Sequence, residues 1–267
     1  MTRKTKGSTV DVTERHEAII ARAKLKGRVL VDELVSHFGV TPQTIRKDLT
    51  DICASGKLQR IHGGAVFPSG LENVKYEARR QIASNEKLAI GRAAAKLIPN
   101  NASLFINIGT TTEAVSQALV DHRDLMVITN NINVANRMRV YPHFEVAIAG
   151  GIVRPSDGAV VGEAAVDFIR QFKVDFAVIG ASAMDEDGAL FDFDYREVKV
   201  SQAIIANARH VILVSDSTKF DRTAPVRIGH LSQVNSFITD RLTRPSIRQI
   251  CADAGVTVIE SVDKSDR

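Results

Sequence analysis

The sequence predicts an α/β chain of two domains, a small winged helix-turn-helix and a larger domain built on a mostly parallel sheet. Near the N-terminus, two short amphipathic helical patterns are joined by a turn that contains glycine. After residue 84, short apolar runs alternate with amphipathic segments, which is typical of a parallel sheet covered on both faces. Charge divides the chain in the same way, because residues 1–68 carry a net charge of +5 and the remaining residues carry −1. The basic excess of the first part indicates a polyanionic partner.

Changes in composition place the domain boundaries. Residues 1–13 form a basic arm, for which a solvated tail and a weak phosphate contact are both open interpretations. The winged helix-turn-helix occupies residues 14–68, and residues 69–83 form a polar linker that is expected to become helical. Residues 84–267 form the larger domain, which is expected to bind a ligand and to carry the contacts for oligomerisation.

The helix-turn-helix is predicted from two helical patterns and from the turn that joins the second of them to a third helix. A first helix covers residues 16–23 and ends at basic residues followed by Gly27. In the second helix, Val31, Leu34 and Phe38 belong to one apolar stripe, and Gly39 then supplies a tight turn. This arrangement indicates a domain that presents the following helix to DNA.

That third helix has two different faces. Thr41 can cap its first turn and Pro42 fits the first helical position, where no N–H is needed. Ile45, Leu49 and Ile52 recur at helical spacing and are expected to pack inward. The opposite stripe is polar; Gln and Arg suit paired hydrogen bonds with base edges, whereas Lys and Thr suit phosphate oxygens. Taken alone, such a stripe is more typical of a solvated surface helix, so the prediction depends on the preceding turn.

A two-stranded wing is predicted after the third helix, because residues 56–66 alternate around Gly63 and Gly64. The expected partner is double-stranded operator DNA. The candidate DNA contacts are Thr41, Gln43, Thr44, Arg46, Lys47 and Thr50 in the helix and Lys57, Arg60 and His62 in the wing.

Seven apolar runs predict the strands of the larger domain, at residues 104–106, 126–128, 146–148, 176–179, 211–214, 237–238 and 256–259. In parallel sheets of this kind, ligands bind beyond the carboxyl ends of the strands. Asn107 follows the first run, and Gly109, Thr110, Thr111 and Thr112 then lead into a helix, whose free N–H groups favour an anion. Polar or glycine residues follow four further runs: Asn130 and Asn131, Gly150 and Gly151, Ser182, and Asp216 with Lys219. One such loop alone is more often an ordinary connection, but the repetition at successive strands favours a small phosphorylated ligand.

Several classes of protein are not supported by the composition. Two cysteines, Cys53 and Cys251, favour a reduced, cytoplasmic setting over a disulfide framework. We expect no membrane span, because the sequence has no apolar run of about 18 residues. A nucleotide-binding P-loop pattern is missing, and the seven histidines have no ligand spacing, so neither a cofactor nor a metal is predicted.

From the first helix onward, the sequence resembles a known protein family. The residues that carry the resemblance in the first domain are Leu34, Phe38, residues 40–46, Asp48, Leu49, Gly56, Leu58, Arg60 and residues 62–65. In these residues the domain resembles the N-terminal domain of the DeoR-type bacterial repressors. Lys47 stands where the family usually has arginine, which removes a bidentate donor, and Leu30 stands where a Ser or Thr often caps the second helix.

The resemblance continues through residues 86–240. It rests on residues 106–112, 129–136, 149–151, 157–158, 161–164, 167–169, 193–198, 203–205 and 219–220. These resemble the DeoR-type sensor domain, whose fold is related to ribose-5-phosphate isomerases, and in particular members that respond to glycerol 3-phosphate. The resemblance implies a homo-oligomeric repressor, a dimer or tetramer, that leaves its operator when glycerol 3-phosphate or a sugar phosphate binds. Asn107 replaces the family's usual aspartate, which removes a charge from the site.

An enzyme is the alternative. Asp192, Asp194, Glu197 and Lys219 are residue types that can catalyse sugar-phosphate isomerisation. The same carboxylates can instead bind ligand hydroxyls without turnover. We favour binding without turnover, because a ligand site joined to a DNA-binding domain makes a switch.

Overall fold

The computed structural model describes residues 11–26, 28–61, 63–66 and 76–261. Backbone contacts divide the chain into two compact units, Met1–Glu72 and Asn73–Arg267. Some predicted positions therefore lie outside the described residues: His62 as a DNA contact, residues 1–10 of the basic arm, residues 27 and 67–68 of the helix-turn-helix domain, residues 69–75 of the linker and residues 262–267 of the larger domain.

The first unit is a winged helix-turn-helix, as predicted. Its elements are α1 (Val12–Lys26), β1 (Arg28–Leu30), α2 (Val31–Phe38), α3 (Pro42–Ala54), β2 (Gln59–Ile61) and β3 (Gly64–Val66). The strands form an antiparallel sheet in the order β1-β3-β2. Ile19, Leu34, Ile45 and Leu49 are fully buried at the centre of the helices. Strand β1 was not predicted, because three residues are too few to display an alternating pattern.

The N-terminal end of this unit differs from the prediction. Helix α1 begins at Val12, so the last residues of the predicted basic arm are helical. The first helical hydrogen bond runs from the N–H of Arg15 to the carbonyl of Asp11, at 2.9 Å. Glu14 lies in the first turn, where a negative charge stabilises the helix.

The second unit alternates strands and helices. Its helices are α4 (Tyr76–Gln81), α5 (Ser84–Ala95), α6 (Thr110–Ala118), α7 (Ile132–Met138), α8 (Glu163–Ile169), α9 (Tyr195–Ala206) and α10 (Pro245–Asp253). Its strands are β4 (Ser103–Ile106), β5 (Leu125–Thr129), β6 (Phe144–Ile148), β7 (Ile152–Val153), β8 (Val160–Val161), β9 (Val174–Ile179), β10 (Ala183–Met184), β11 (Ala189–Asp192), β12 (Ala208–Val214), β13 (Val226–His230), β14 (Ser236–Thr239) and β15 (Thr257–Glu260). Short 3-10 helices cover Ser217–Asp221 and Leu231–Gln233.

Seven of these strands form one sheet, in the order β15-β14-β12-β9-β4-β5-β6. Every neighbouring pair in this sheet is parallel. Each of the seven predicted apolar runs overlaps one of its strands. Two clusters of buried side chains cover the sheet, one containing Phe105 and Phe237 and the other Leu104 and Ile106. The predicted α/β fold class is confirmed.

Smaller elements complete the unit. Strands β10, β11 and β13 form an antiparallel sheet, and β7 pairs with β8. Helix α4 belongs to this unit, whereas the sequence assigned residues 69–83 to a linker. Polar contacts attach α4 to this unit, because Tyr76 and Arg79 form hydrogen bonds with side chains elsewhere in it. No described helix is both long and apolar enough to span a bilayer.

Candidate functional site

Helix α3 begins as its sequence predicts. The Thr41 side-chain oxygen accepts a hydrogen bond from the N–H of Thr44 at 3.2 Å, and Pro42 occupies the first turn. The two threonine hydroxyls lie 2.9 Å apart. Both hydroxyls therefore take part in the cap, which gives Thr41 and Thr44 a structural task beside the predicted DNA contact.

The predicted polar stripe of α3 is open to solvent. Gln43, Arg46, Lys47 and Thr50 are exposed, while Ile45 and Leu49 on the opposite face are fully buried. The Thr50 hydroxyl donates to the carbonyl of Arg46 at 2.8 Å. Beyond the helix, Lys57 and Arg60 are exposed as well. The stripe thus offers long polar and cationic side chains on a rigid helix, as base reading requires.

Asp48 fixes α3 against α1. Its carboxylate accepts two hydrogen bonds from Arg15, at 2.7 and 3.0 Å, and lies 3.1 Å from Nε2 of His16. Burial raises the pKa of Asp48, but the hydrogen bonds and charges of Arg15 and His16 outweigh burial and leave that pKa below its usual value. The sequence did not predict this role for Asp48.

The loop after β4 forms the start of α6 at the carboxyl edge of the seven-stranded sheet. Gly109 has φ 145°, a conformation that L side chains rarely adopt, and precedes the helix without any side-chain cap. The first N–H groups of a helix have no partner within it, so this turn is suited to an anion. Thr110 is half-buried and Thr111 is buried beside these groups.

Two predicted ligand contacts in this loop are occupied by the protein itself. The Asn107 amide donates to the Ser201 hydroxyl at 2.8 Å and accepts from the N–H of Ile108 at 2.8 Å. The fully buried Thr112 hydroxyl lies 2.7 Å from the Asn107 carbonyl and 2.8 Å from that of Gly109. These side chains shape the loop and connect it to α9.

The loops after the strands that flank β4 contain further predicted residues. Asn131 caps α7 and donates to Glu113 Oε1 at 3.1 Å, so its side chain is used within the fold. Asn130 donates to the Val160 carbonyl at 3.3 Å, but its buried Oδ1 has no partner among the described residues.

A Cβ built on Gly180, after β9, would lie 3.7 Å from Thr112 Cγ2 and 3.8 Å from the carbonyl oxygen of Val214 in β12. The ends of β9 and β12 therefore adjoin the start of α6. Gly150 and Gly151 follow the edge strand β6 and are exposed.

Beyond β12, cations gather around Asp216. Lys219 and Lys87 are buried, Arg222 is half-buried, and all three act electrostatically on the Asp216 carboxylate. The Lys87 ammonium lies 4.0 Å from Asp216 Oδ2. Burial, opposed by Asp216 and assisted by the neighbouring cations, lowers the pKa of Lys219 to about 7. We call Lys87, Lys219, Arg222 and Asp216 the cation cluster; its positive charge exceeds its negative charge.

Two of the predicted carboxylates, Asp194 and Glu197, meet at one arginine, together with Asp157. Arg154 donates to Asp157 at 2.8 and 2.7 Å, to Asp194 at 3.1 Å and to Glu197 at 2.5 Å. Burial, then the charge of Asp192, raises the pKa of Glu197. Asp192 accepts from the Ser182 hydroxyl at 3.0 Å, and burial raises its pKa as well. We call Asp157, Asp192, Asp194, Glu197 and Arg154 the carboxylate cluster. Among the described residues, no group of His, Cys, Asp and Glu has the arrangement of a metal site.

Comparison with known families places both units. Residues 15–70 match the DeoR-like helix-turn-helix domain, and residues 82–241 match the DeoR C terminal sensor domain. The chain belongs to the DeoR family. The resemblance predicted from the sequence is confirmed over nearly its whole length.

Several DeoR family relatives are similar over most of the chain. The glycerol-3-phosphate regulon repressor of Escherichia coli (strain K12) is 46% identical over 241 residues, which is 90% of this chain and 96% of the relative. The protein of that name in Haemophilus influenzae is 48% identical and covers 84% of this chain and 88% of its own. The HTH-type transcriptional repressor CsqR of Escherichia coli (strain K12) is 36% identical over 92% of this chain and 94% of its own. Among solved structures, a D-ribose-5-phosphate isomerase in complex with phospho-erythronic acid is 17% identical, with a TM-score of 0.39, over 51% of this chain and 54% of its own.

Five charged residues of this DeoR family member were not predicted as site residues from the sequence: Arg79, Lys87, Arg154, Asp157 and Arg222. Lys87 had a usable signal, since it precedes the buried Ile90 and Gly91 by three and four residues and so lies on the inner face of α5. Arg154 lies in the turn between β7 and β8, where the spacing of residues does not indicate which way a side chain points. A charged loop residue is normally solvated, so only the fold reveals that Arg154 gathers the carboxylates.

Proposed function

We propose that this DeoR family member is a transcriptional repressor that reads operator DNA with α3 and the wing and leaves it when a phosphorylated metabolite binds. Glycerol 3-phosphate is the proposed effector. The names of the relatives at 46% and 48% identity support a glycerol-3-phosphate regulon as the target. The proposed DNA contacts are those predicted from the sequence, and the repressor is proposed to act as a homo-oligomer, a dimer or tetramer.

The cation cluster is the observation that carries the effector proposal. Burying cations in excess of anions is unfavourable, and a phosphate dianion would neutralise the excess. The uncapped N–H groups at residues 110–112 would donate to the same phosphate. Charge and hydrogen-bond donors therefore favour a phosphate more than a neutral sugar.

The carboxylate cluster would receive the hydroxyls of the effector. Carboxylate oxygens accept hydroxyl hydrogen bonds, and Arg154 holds Asp194 and Glu197 in fixed positions. We propose binding without turnover, which the repressor names of the relatives support. Sustained isomerisation of ribose 5-phosphate, lost in Glu197→Gln, would contradict this proposal.

A selection and release experiment tests the proposed function. An operator is first selected from random duplex DNA with the full chain, and gel shifts then follow release by glycerol 3-phosphate. Release at effector concentrations that leave an unrelated DNA-binding protein in place is expected. Release by another phosphosugar, but not by glycerol 3-phosphate, would exclude the proposed effector while retaining the repressor.

The DNA side is tested with Arg46→Ala in the same assay. Loss of a base contact is expected to weaken operator binding by about 1–3 kcal/mol. Lys57→Ala, by contrast, is expected to weaken binding to all sequences alike and to reduce the salt slope by about one unit. The exposed Arg92→Ala in α5 is the control, and equal affinities for Arg46→Ala and this control would remove Arg46 from the interface.

A further inference from the structure

Helix α4 contacts two parts of the proposed effector site, the start of α6 and the carboxylate cluster. It lies within a few residues of the N-terminal boundary of the second unit at Asn73, on the side of the chain that leads to the DNA-binding unit. We propose that α4 is part of the effector site and couples its occupancy to the DNA-binding unit, with Arg79 contacting the ligand and Tyr76 and Lys87 as positioning residues. This inference rests on the proposed function.

Tyr76 connects α4 to the start of α6, where the phosphate is proposed to bind. Its hydroxyl donates to Glu113 Oε2 at 2.7 Å and accepts from Asn133 Nδ2 at 2.9 Å. Glu113 lies in the first turn of α6, directly after residues 110–112. A ligand that binds to this turn would therefore also affect Glu113, the hydrogen-bond partner of Tyr76.

Arg79 lies between the carboxylate cluster and the cation cluster. Its Nη2 donates to Asp157 at 3.1 Å. After burial and nearer groups, its charge contributes to the lowered pKa of Lys219 and opposes the raised pKa of Asp192. The side chain is only 14% exposed, and its buried Nε has no acceptor within the described ranges. A buried N–H without an acceptor is costly, and an oxygen of a bound phosphosugar would supply one.

Lys87 fixes the other end of α4. Its ammonium donates to the carbonyls of Arg79 and Ile82, at 2.5 and 2.6 Å, while it lies 4.0 Å from Asp216. Asp216 is shared with Lys219, which belongs to the proposed phosphate contacts. A bound anion near Lys219 would change the electrostatic balance at Asp216 and, through Lys87, at the last turn of α4.

Polar contacts hold α4 in place, and such contacts allow the helix to shift when a ligand binds. None of its six residues is buried, so polar contacts rather than an apolar face fix its position. Elements with little apolar burial open and shift at low cost. Because coupling requires that the ligand prefer one arrangement, a short polar helix that contacts the ligand can transmit occupancy to the chain that precedes it.

Calorimetric titration with glycerol 3-phosphate tests the contact. Arg79→Met keeps the length of the side chain but removes its donors, and is expected to raise the Kd at least about tenfold. Arg80→Met is the matched control, because Arg80 is the next residue of α4 and its side chain is 53% exposed. Its Kd is expected to stay within about twofold of wild type. Equal Kd values for Arg79→Met and wild type would overturn the contact.

Coupling is tested separately with Tyr76→Phe. The Kd for glycerol 3-phosphate is measured with and without saturating operator, and the ratio of the two is the coupling factor. Tyr76→Phe is expected to keep the Kd of the free protein within about threefold and to reduce the coupling factor at least about fivefold. An unchanged coupling factor would overturn the role of α4.

Hydrogen exchange in the wild-type protein provides a test that no folding defect can obscure. The amides of residues 77–82 are expected to become protected when glycerol 3-phosphate saturates the site. Unchanged exchange at saturation would overturn the inference. If another phosphosugar binds instead, the proposed effector fails and these measurements test α4 with that ligand. If no phosphosugar binds, the proposed function and this inference both fail.

Discussion

Lys219 and Glu197 are buried titratable groups with opposite charges, and burial displaces their pKa values in opposite directions. The pKa of Lys219 falls to about 7, and that of Glu197 rises. Burial disfavours the charged form of each group. Near neutral pH, Lys219 and Glu197 are therefore only partly charged, and binding of the proposed effector is expected to change their protonation.

The affinity for glycerol 3-phosphate is expected to fall as pH rises from 7 to 9. A dianion bound at the proposed site would stabilise protonated Lys219, whose pKa is about 7. Binding above that pH must therefore take up a proton, and the Kd should rise by up to about tenfold per pH unit. Below this window the ligand itself protonates, since the second pKa of a phosphate monoester is about 6.

Calorimetry in Hepes and Tris measures this uptake, because the two buffers release protons with different enthalpies. Asp216, Arg222, Lys87 and Arg79 are the charged groups around Lys219, and Lys219→Met removes the titrating group while leaving them in place. The variant should bind weakly, and its affinity should fall less between pH 7 and 9 than that of the wild type, because Glu197, with a pKa of about 8, still titrates in this range. A wild-type Kd that stays constant between pH 7 and 9 would contradict the placement of the phosphate at Lys219.

At the scale of elements, the packing of α5 on α6 positions residues 109–112, where the phosphate is proposed to bind. A Cβ built on Gly91 would lie 2.5 Å from the carbonyl oxygen of Ala114 and 3.0 Å from the N–H nitrogen of Val115, both backbone atoms of α6. Only glycine allows this approach. Since α6 begins at Thr110, its contact with α5 sets where the first N–H groups of the helix point.

Gly91→Ala is expected to destabilise the protein by about 1–3 kcal/mol, because α6 must move away from α5. The same shift should raise the Kd for glycerol 3-phosphate, since it displaces the donors at residues 110–112. Thermal melting and calorimetry measure the two effects, with the exposed Arg92→Ala as the control on the same helix. A variant with the melting temperature and Kd of the wild type would show that α5 does not position α6.

Elements could be predicted where a pattern repeats over enough residues. The seven core strands are continuous apolar runs and α3 has a defined cap, so both were predictable. The linker was expected to become helical, but the sequence of α4, YEARRQ, has no apolar stripe, so its attachment to the second unit by polar contacts could not be predicted. Asn107 and Thr112 were predicted as ligand contacts from residue type, but side-chain direction decides whether an amide or hydroxyl faces the ligand or its own loop.

The whole molecule joins a basic DNA-binding unit to a sensor unit that is close to neutral. A switch of this kind needs an effector that binds the DNA-free arrangement more tightly than the DNA-bound one. Moving a population from 1:99 to 99:1 requires about 5.5 kcal/mol of preference. One charged hydrogen bond contributes about 1.5–3 kcal/mol, so several contacts made in one arrangement are needed.

Removing two of the proposed phosphate contacts should therefore abolish the response to effector without affecting DNA binding. Thr111 lies in the first turn of α6 and Lys219 in the cation cluster, and both are buried. Thr111→Ala and Lys219→Ala are each expected to raise the effector Kd about tenfold or more. Because the two residues are proposed to bind the same phosphate, their effects need not add, but the double variant should retain less than the preference that release requires.

Gel shifts with the selected operator measure both halves of this prediction. The double variant should bind the operator with wild-type affinity and stay bound at effector concentrations that release the wild-type protein. Thr223→Ala combined with Lys199→Ala is the matched control, since both residues are exposed and lie in the same unit. Release of the Thr111→Ala/Lys219→Ala variant at the wild-type effector concentration would mean that the phosphate binds elsewhere, because neither the helix start nor the cation cluster would then contribute to the preference.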